Sequence, residues 1–64
     1  MWRRIGIDQE VFQKLSGKKV LIVNDEHFIL TGEIRAVFDS SIAFFTDGKV
    51  RYLSFDRIIE VRPL

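Results

Sequence analysis

The run of residues 27–38 limits what this chain can fold into, because apolar and polar side chains alternate along it. Its apolar positions extend from Phe28 to Phe38, with Gly32 in the same register. Such a period of two is typical of a half-buried β-strand. Fully extended, the run would span roughly 40 Å, whereas a globule of this length has a radius of gyration of about 11 Å. We therefore expect the strand to bend at Gly32, which lacks a Cβ, and to serve both halves of a small barrel.

Length and composition favour a small soluble protein that associates with itself. The 64 residues predict one domain, residues 1–64, and a chain this short buries only about 60% of its unfolded surface. It has no cysteine and one histidine, so we expect no disulfide, metal or other cofactor, and oligomerisation remains as the stabilising route. The net charge of +1 argues against a duplex-coating protein. The longest apolar run, Val20–Val23, is too short for a membrane span, so a cytoplasmic location is expected.

A short helix is predicted before the first strand. Residues 1–6 are expected to form a flexible arm. Asp8 is a suitable N-cap for a helix over residues 8–16, and Ser16-Gly17 supplies its end. The first strand is then expected at Lys18–Val23.

Turn residues divide the rest of the chain into three further strands. Asp39 and Ser40 predict a tight turn, and Asp47-Gly48 predicts a two-residue hairpin turn with positive φ at both positions. The strands that follow are expected at Ser41–Thr46, Lys49–Phe55 and Ile58–Val61. The predicted fold is mainly β: a strongly bent, five-stranded antiparallel barrel over residues 18–62 with a short N-terminal helix.

Two-residue turns would fix which side chains share a face of the sheet. The rows predicted to face the core are Ile34–Phe45–Val50 and Ala36–Ala43–Tyr52. The rows predicted for the opposite face, from its polar to its apolar end, are Glu33–Thr46–Lys49, Arg35–Phe44–Arg51 and Val37–Ile42–Leu53. Either the helix or another subunit could cover the apolar end, and a subunit is favoured because the short helix offers one apolar stripe, which the open end of the barrel also needs.

No motif for catalysis accompanies these strands. A phosphate-binding glycine loop, a nucleophile–base pair and paired carboxylates in a pocket are all missing from the sequence, so an enzyme is the least favoured interpretation. His27 follows Asp25 and Glu26, but one histidine without a second ligand or nucleophile is better explained as a structural or solvated residue. The two acids are typical turn residues.

The segment Leu30-Thr31-Gly32-Glu33-Ile34, followed by Phe38-Asp39, resembles the Sm-like family, and within it the bacterial RNA chaperones. The likeness in the order of elements covers nearly the whole chain. It implies a bent five-stranded barrel that pairs its fourth and fifth strands into rings of six or seven copies and binds single-stranded RNA, with U- or A-rich sequences as the candidates. The residues that it assigns to structural positions are Gly32, Asp39, Asp47 and Gly48. The residues that it assigns to the ring-forming edges are Leu53, Ser54, Phe55, Ile58, Ile59 and Val61.

Two groups of residues are candidate RNA sites. The first places Phe55 and Arg57 near the Ser40-Ser41 loop, on the pore side of such a ring. The second is the row Arg35, Phe44 and Arg51, since an exposed aromatic ring between two guanidinium groups suits a base between two phosphates. The bacterial members carry Gln-Phe where this chain has Ser40-Ser41, and Tyr-Lys-His near its residues 55–57.

The alternative function is an oligomeric structural or protein-interaction module, a Src-homology-3-like barrel that does not bind nucleic acid. The near-neutral charge favours it, and its sheet edges could recruit a partner strand. The partners expected under the first hypothesis are further copies of the chain and single-stranded RNA, with neither a membrane nor a small-molecule substrate.

Overall fold

The structure is a computed structural model that describes residues 7–64 and the backbone of Trp2–Arg3. In these residues the chain forms an N-terminal helix and six strands, which confirms the predicted mainly β class. The elements are β1 (Trp2–Arg3), α1 (Gln9–Leu15), β2 (Lys19–Asn24), β3 (Ile29–Val37), β4 (Ser41–Thr46), β5 (Lys49–Ser54) and β6 (Ile58–Pro63). A 3₁₀ turn at Phe55–Arg57 joins the last two strands. Apart from β1, the predicted arm of residues 1–6 lies outside the described residues.

All strand pairs of the sheet are antiparallel, and its order is β1-β6-β2-β3-β4-β5. Within the described part of the chain, the two end strands β1 and β5 do not pair with each other, so the sheet is not closed into the predicted barrel. The outer edge of β5 therefore presents backbone N–H and C=O groups that no strand of this sheet satisfies.

Strand β3 serves both halves of the sheet, as its length predicts. Residues 29–33 pair with β2, and Glu33 and the residues after it pair with β4. Gly32 lies at the point of exchange, where a Cβ would overlap the backbone carbonyl oxygen of Phe45. The hydroxyl of Thr46 also donates to the carbonyl oxygen of Thr31, over 2.7 Å. Glycine at this position thus lets β4 approach β3 closely.

A β-bulge at Arg35 changes the register that two-residue turns predict. The predicted partners are correct throughout the β4–β5 ladder and for the pairs Ala36–Ala43 and Val37–Ile42. They are wrong before the bulge, where Glu33 pairs with Phe45 and Ile34 pairs with Phe44, because the register shifts between Ile34 and Ala36. One extra residue moves all side chains beyond it to the other face of the strand.

The core consequently contains a different set of side chains from the predicted rows. Its buried members are Val11, Phe12, Leu15, Val20, Ile22, Ile34, Ile42, Phe44, Ile58 and Val61. Of the rows predicted for the core, Ile34 and Ala43 are buried, but Val50 and Tyr52 are 46% and 73% exposed. Phe28 and Phe38, predicted to line the core from the long strand, are also exposed.

The apolar row Val37–Ile42–Leu53 does not face a subunit, contrary to the expectation from the sequence. Ile42 is fully buried, and Val37 and Leu53 pack against the core cluster that α1 helps to form. The helix therefore covers this end of the sheet, since Val11, Phe12 and Leu15 are all buried.

Both ends of α1 are fixed by specific contacts, and the sequence predicts the residues Asp8 and Gly17 that end it. The Asp8 carboxylate caps the helix by accepting a hydrogen bond from the amide of Val11 over 3.1 Å. After the helix, Gly17 adopts a φ of +79°, and its amide donates to the Ile34 carbonyl over 2.8 Å. At the other end, the Gln9 side chain donates to the Phe38 carbonyl over 3.3 Å. The helix is thus tied to both ends of the second half of β3.

The predicted hairpin turn between β4 and β5 is confirmed. Asp47 and Gly48 both have positive φ, at +53° and +80°, which is the geometry of the two-residue turn that matches strand twist. Within residues 7–64, no helix has the length and apolar character that crossing a membrane requires.

Candidate nucleic-acid interface

The structure brings together the residues of the first candidate RNA site. The carbonyl oxygen of Ser40 accepts a hydrogen bond from the amide of Phe55 over 2.9 Å. Ser41 pairs with Ser54 at the end of the β4–β5 ladder. The turn between β3 and β4 therefore adjoins the 3₁₀ turn that carries Phe55 and Arg57, although the two are far apart in the sequence.

The ring of Phe55 is already engaged within the protein. It stacks on Phe12 of α1, with 4.9 Å between the ring centroids and an interplanar angle of 19°. Phe12 is fully buried and Phe55 half-buried. One face of the Phe55 ring is thus covered by the helix, so a base could stack only on the opposite face of the ring.

The guanidinium group of Arg57 is held by two acids of the β2–β3 turn. Its Nε lies 3.0 Å from Oδ2 of Asp25, and its Nη2 lies 3.9 Å from Oε1 of Glu26. The amide of Asp25 also donates to the Arg57 carbonyl oxygen over 2.7 Å. This partly exposed network contributes little to stability. The two carboxylates nevertheless offset the positive charge of the Arg57 guanidinium group, which would otherwise attract an RNA phosphate.

The β2–β3 turn is ordered by its own backbone and by Asn24. The Oδ1 atom of Asn24 accepts hydrogen bonds from the amides of Glu26 and Phe28, over 2.9 and 3.0 Å. His27 adopts a φ of +65° between them. Asn24 and Asp25 therefore have fixed positions at one wall of a nearby cleft.

That cleft, of about 540 Å³, lies between the end of β5, the 3₁₀ turn and the β2–β3 turn. The residues that line it are Asn24, Asp25, Tyr52, Leu53, Ser54, Asp56, Arg57 and Ile58. Three of the residues predicted for ring-forming edges, Leu53, Ser54 and Ile58, are among them. Of the other three, Val61 is fully buried, while Phe55 and Ile59 are half-buried.

The second candidate RNA site is wrong in its central residue. Phe44 is fully buried in the core, so its ring cannot meet a base. Arg51 lies opposite Phe44 on the ladder, on the core side of β5, although it is exposed. The bulge at Arg35 explains the error, because it turns Phe44 inward and its neighbour Phe45 outward.

Arg35 lies instead over Phe45. Its Cζ is 4.3 Å from the centroid of the Phe45 ring, which is the geometry of a cation–π contact. The same guanidinium forms an ion pair with Glu33 through Nε. The predicted pairing of an arginine with an aromatic ring therefore exists, with a different phenylalanine.

The sequence does not predict a larger exposed surface around this pair, which we call the outer aromatic face. We define it as the surface of β3, β4 and β5 away from the core, formed by Arg35, Phe38, Phe45, Val50 and Tyr52. Phe38 and Tyr52 contact each other there, with 6.4 Å between the ring centroids. The relevant signal in the sequence is the alternation in β5 of Lys49 and Arg51 with Val50 and Tyr52. Two apolar side chains at alternate positions of a strand normally predict a face that packs on the core, and here that face is exposed.

These features define a small antiparallel β-sheet protein with one helix packed on the core in its described residues. The chain matches no protein-family model, no curated protein and no solved structure. Within residues 7–64, no group of three histidine or acidic side chains is arranged to hold a metal ion.

Proposed function

We propose that this chain is an Sm-like protein that joins copies of itself through β5 and β6 and binds single-stranded RNA. The observation that carries the proposal is the arrangement of an N-terminal helix and five antiparallel strands in the order β6-β2-β3-β4-β5, with the outer edge of β5 unpaired. In the numbering of a five-stranded barrel, β5 and β6 are the fourth and fifth strands. They are the strands through which the family that the sequence resembles forms its rings.

Self-association also has a physical reason in this chain. A free strand edge is a template for pairing with another chain, and small domains without disulfides or metals are commonly stabilised by oligomerisation. Several predicted edge side chains, Ile58 and Val61 among them, point into the core. A neighbouring copy would therefore pair mainly with the backbone of these strands.

Strand β1 lies along the edge of β6 that such a neighbour would use. Its register places Trp2 opposite Val61 and Arg3 opposite Glu60. A partner strand that pairs over the whole of β6 would take the place of β1, whereas one that pairs near Ile58 and Ile59 would lie beside it. Ring formation through the whole of β6 thus predicts a change in the backbone partners of Glu60 and Val61.

Two measurements test the proposal together. Native mass spectrometry or light scattering should give the mass of six or seven copies, and filter binding should show retention of oligo-U or oligo-A that weakens as salt is added. A monomer that retains neither oligonucleotide at low salt, where phosphate contacts are strongest, would refute it.

A second function, a protein-interaction module that assembles without RNA, is favoured by one specific observation. Phe55 and Arg57, which the first candidate RNA site needs, are engaged by Phe12 and by Asp25 and Glu26. An oligomer of defined mass that binds neither oligonucleotide would support this second function over the first.

A further inference from the structure

We infer that RNA bases stack on the outer aromatic face, and not on the loop residues predicted to line the pore. This inference rests on the proposed function, and it assigns the binding to Phe38, Tyr52 and the Arg35–Phe45 pair. Sequence-tolerant binding of single strands uses aromatic rings and arginine planes on which successive bases stack. The outer aromatic face presents both kinds of group on one side of the sheet.

Tyr52 and Phe38 are exposed on this face, whereas the ring of Phe44 on the other side of the sheet is fully buried. Tyr52 is 73% and Phe38 is 46% exposed, although the two rings contact each other. Large aromatic side chains are usually buried, and contiguous exposed apolar surface commonly marks a binding site. The hydroxyl of Tyr52 can in addition donate to or accept from a base edge.

The spacing of residues on this face suits successive bases stacked on neighbouring rings. Phe45 pairs with Val50, and Ala43 pairs with Tyr52, so Phe45 and Tyr52 are diagonal neighbours on one face. Diagonal neighbours of an antiparallel pair lie about 7–8 Å apart, which is roughly two steps of 3.4 Å between stacked bases. Ala43, opposite Tyr52, is only 6% exposed, so neighbouring side chains cover the sheet surface here and bases would stack on the outer sides of the rings.

Charge favours a nucleic acid over an apolar protein segment as the occupant. Strand β5 alternates Lys49 and Arg51 with Val50 and Tyr52 and contains no carboxylate. Lys49 and Arg51 lie on the side of β5 opposite Tyr52, because Arg51 pairs with Phe44. A phosphate backbone that follows the free edge of β5 would meet both cations while its bases lie on the aromatic side. The segment Leu53–Phe55, expected to pair with a neighbouring copy, lies beyond these four residues, so assembly and RNA binding need not compete.

The experiment titrates fluorescently labelled oligo-A and oligo-U with the full chain and with alanine variants. Tyr52→Ala and Phe38→Ala should each weaken binding by roughly 5- to 150-fold, the range for the loss of one stacked base. Tyr52→Phe should remain close to the wild type because it keeps the ring. Phe28→Ala is the matched control: Phe28 is 63% exposed but does not belong to the outer aromatic face.

The charge argument has its own readout. Lys49→Gln and Arg51→Gln should each lower the slope of log affinity against log salt by about one. Lys14→Gln on α1 is the control, since Lys14 is also exposed and lies beside Glu10, away from the face. Its salt slope should equal that of the wild type.

The outcomes separate this inference from the proposed function. A wild-type chain that binds neither oligonucleotide at low salt refutes the proposed function, and the inference falls with it. A wild-type chain that binds RNA, with Tyr52→Ala and Phe38→Ala binding equally well, overturns the inference alone. A lower native mass for Tyr52→Ala with unchanged RNA affinity would assign the face to contacts between copies, which also overturns it. Circular dichroism of each variant establishes that it is folded.

Discussion

Replacing Gly32 by alanine tests the close approach of β4 to β3, on which the whole second half of the sheet depends. The new Cβ would overlap the carbonyl oxygen of Phe45 and would lie 3.1 Å from Cζ of Phe44. The overlapping atom belongs to the backbone, so no side-chain rotation can relieve the clash. The two strands must move apart where Ile34 pairs with Phe44, in the centre of the core.

The expected loss of stability follows from two contributions. Forcing an extra carbon into a packed site costs about 1–3 kcal/mol. Separating the strands also weakens the 2.7 Å hydrogen bond from Thr46 to the Thr31 carbonyl, which contributes about 1 kcal/mol. Together these give about 2–4 kcal/mol, whereas domains of this size are stable by only about 3–10 kcal/mol. Gly32→Ala should therefore remove much of the stability, and Gly32→Val should unfold the chain.

Urea unfolding followed by circular dichroism measures this loss, at a fixed protomer concentration because assembly would shift the midpoint. With a slope of about 1 kcal/mol per molar urea, the midpoint should fall by about 2 M or more. Gly48→Ala is the control, because Gly48 has a φ of +80° but no atom lies within 4 Å of the added Cβ. Its free energy of unfolding should fall only by the cost of a left-handed conformation for alanine, about 1–2 kcal/mol. A Gly32→Ala midpoint equal to that of the wild type would refute the close approach.

Three further predictions follow from the packing and the ion pairs. Phe44→Ala should destabilise the fold by about 3–5 kcal/mol because the ring is fully buried. Phe45→Ala removes a half-buried ring, so in the same urea assay it should lower the free energy of unfolding by less than half as much. Asp8→Ala should lower the free energy of unfolding by about 0.5–2 kcal/mol through loss of the α1 cap, and Asp8→Asn should restore most of it. Arg57→Gln should change stability by less than about 1 kcal/mol, because its ion pairs are partly exposed; a larger loss in thermal unfolding would contradict this.

The parts of the fold that sequence predicts well are those fixed by neighbouring residues. The Asp47-Gly48 turn has one favoured geometry, and it sets the register of the entire β4–β5 ladder. Asp8 and Gly17 likewise fix the two ends of α1 through a side-chain cap and a positive φ. Each of these signals acts within a few residues, so no tertiary contact can override it cheaply.

The bulge at Arg35 has no such local signal, and the main errors follow from it. The even positions from Phe28 to Phe38 are apolar apart from Gly32, so the pattern predicts one face for all of them. Nothing in the pattern distinguishes Phe44 from Phe45 either, since both are large and aromatic. Which of the two rings faces the core depends on contacts with α1 and β3 that are remote in sequence. The pattern therefore predicts the wrong phenylalanine for the second RNA site.

The bulge itself has an energetic explanation that also accounts for the outer aromatic face. Without it, Ala36, Ala43 and Phe45 would face the core, and Ile42 and Phe44 would face outward. Phe44 and Phe45 exchange places between the two registers, so the observed one gains chiefly by burying Ile42 in place of an alanine methyl group. Full burial of an isoleucine side chain contributes about 1.5–3 kcal/mol, which is more than a methyl group contributes. The same shift leaves Tyr52 exposed, because it lies opposite Ala43 and must share its face. An exposed ring at this position is thus a consequence of core packing, and binding of a base there would recover apolar contact that the isolated chain cannot make.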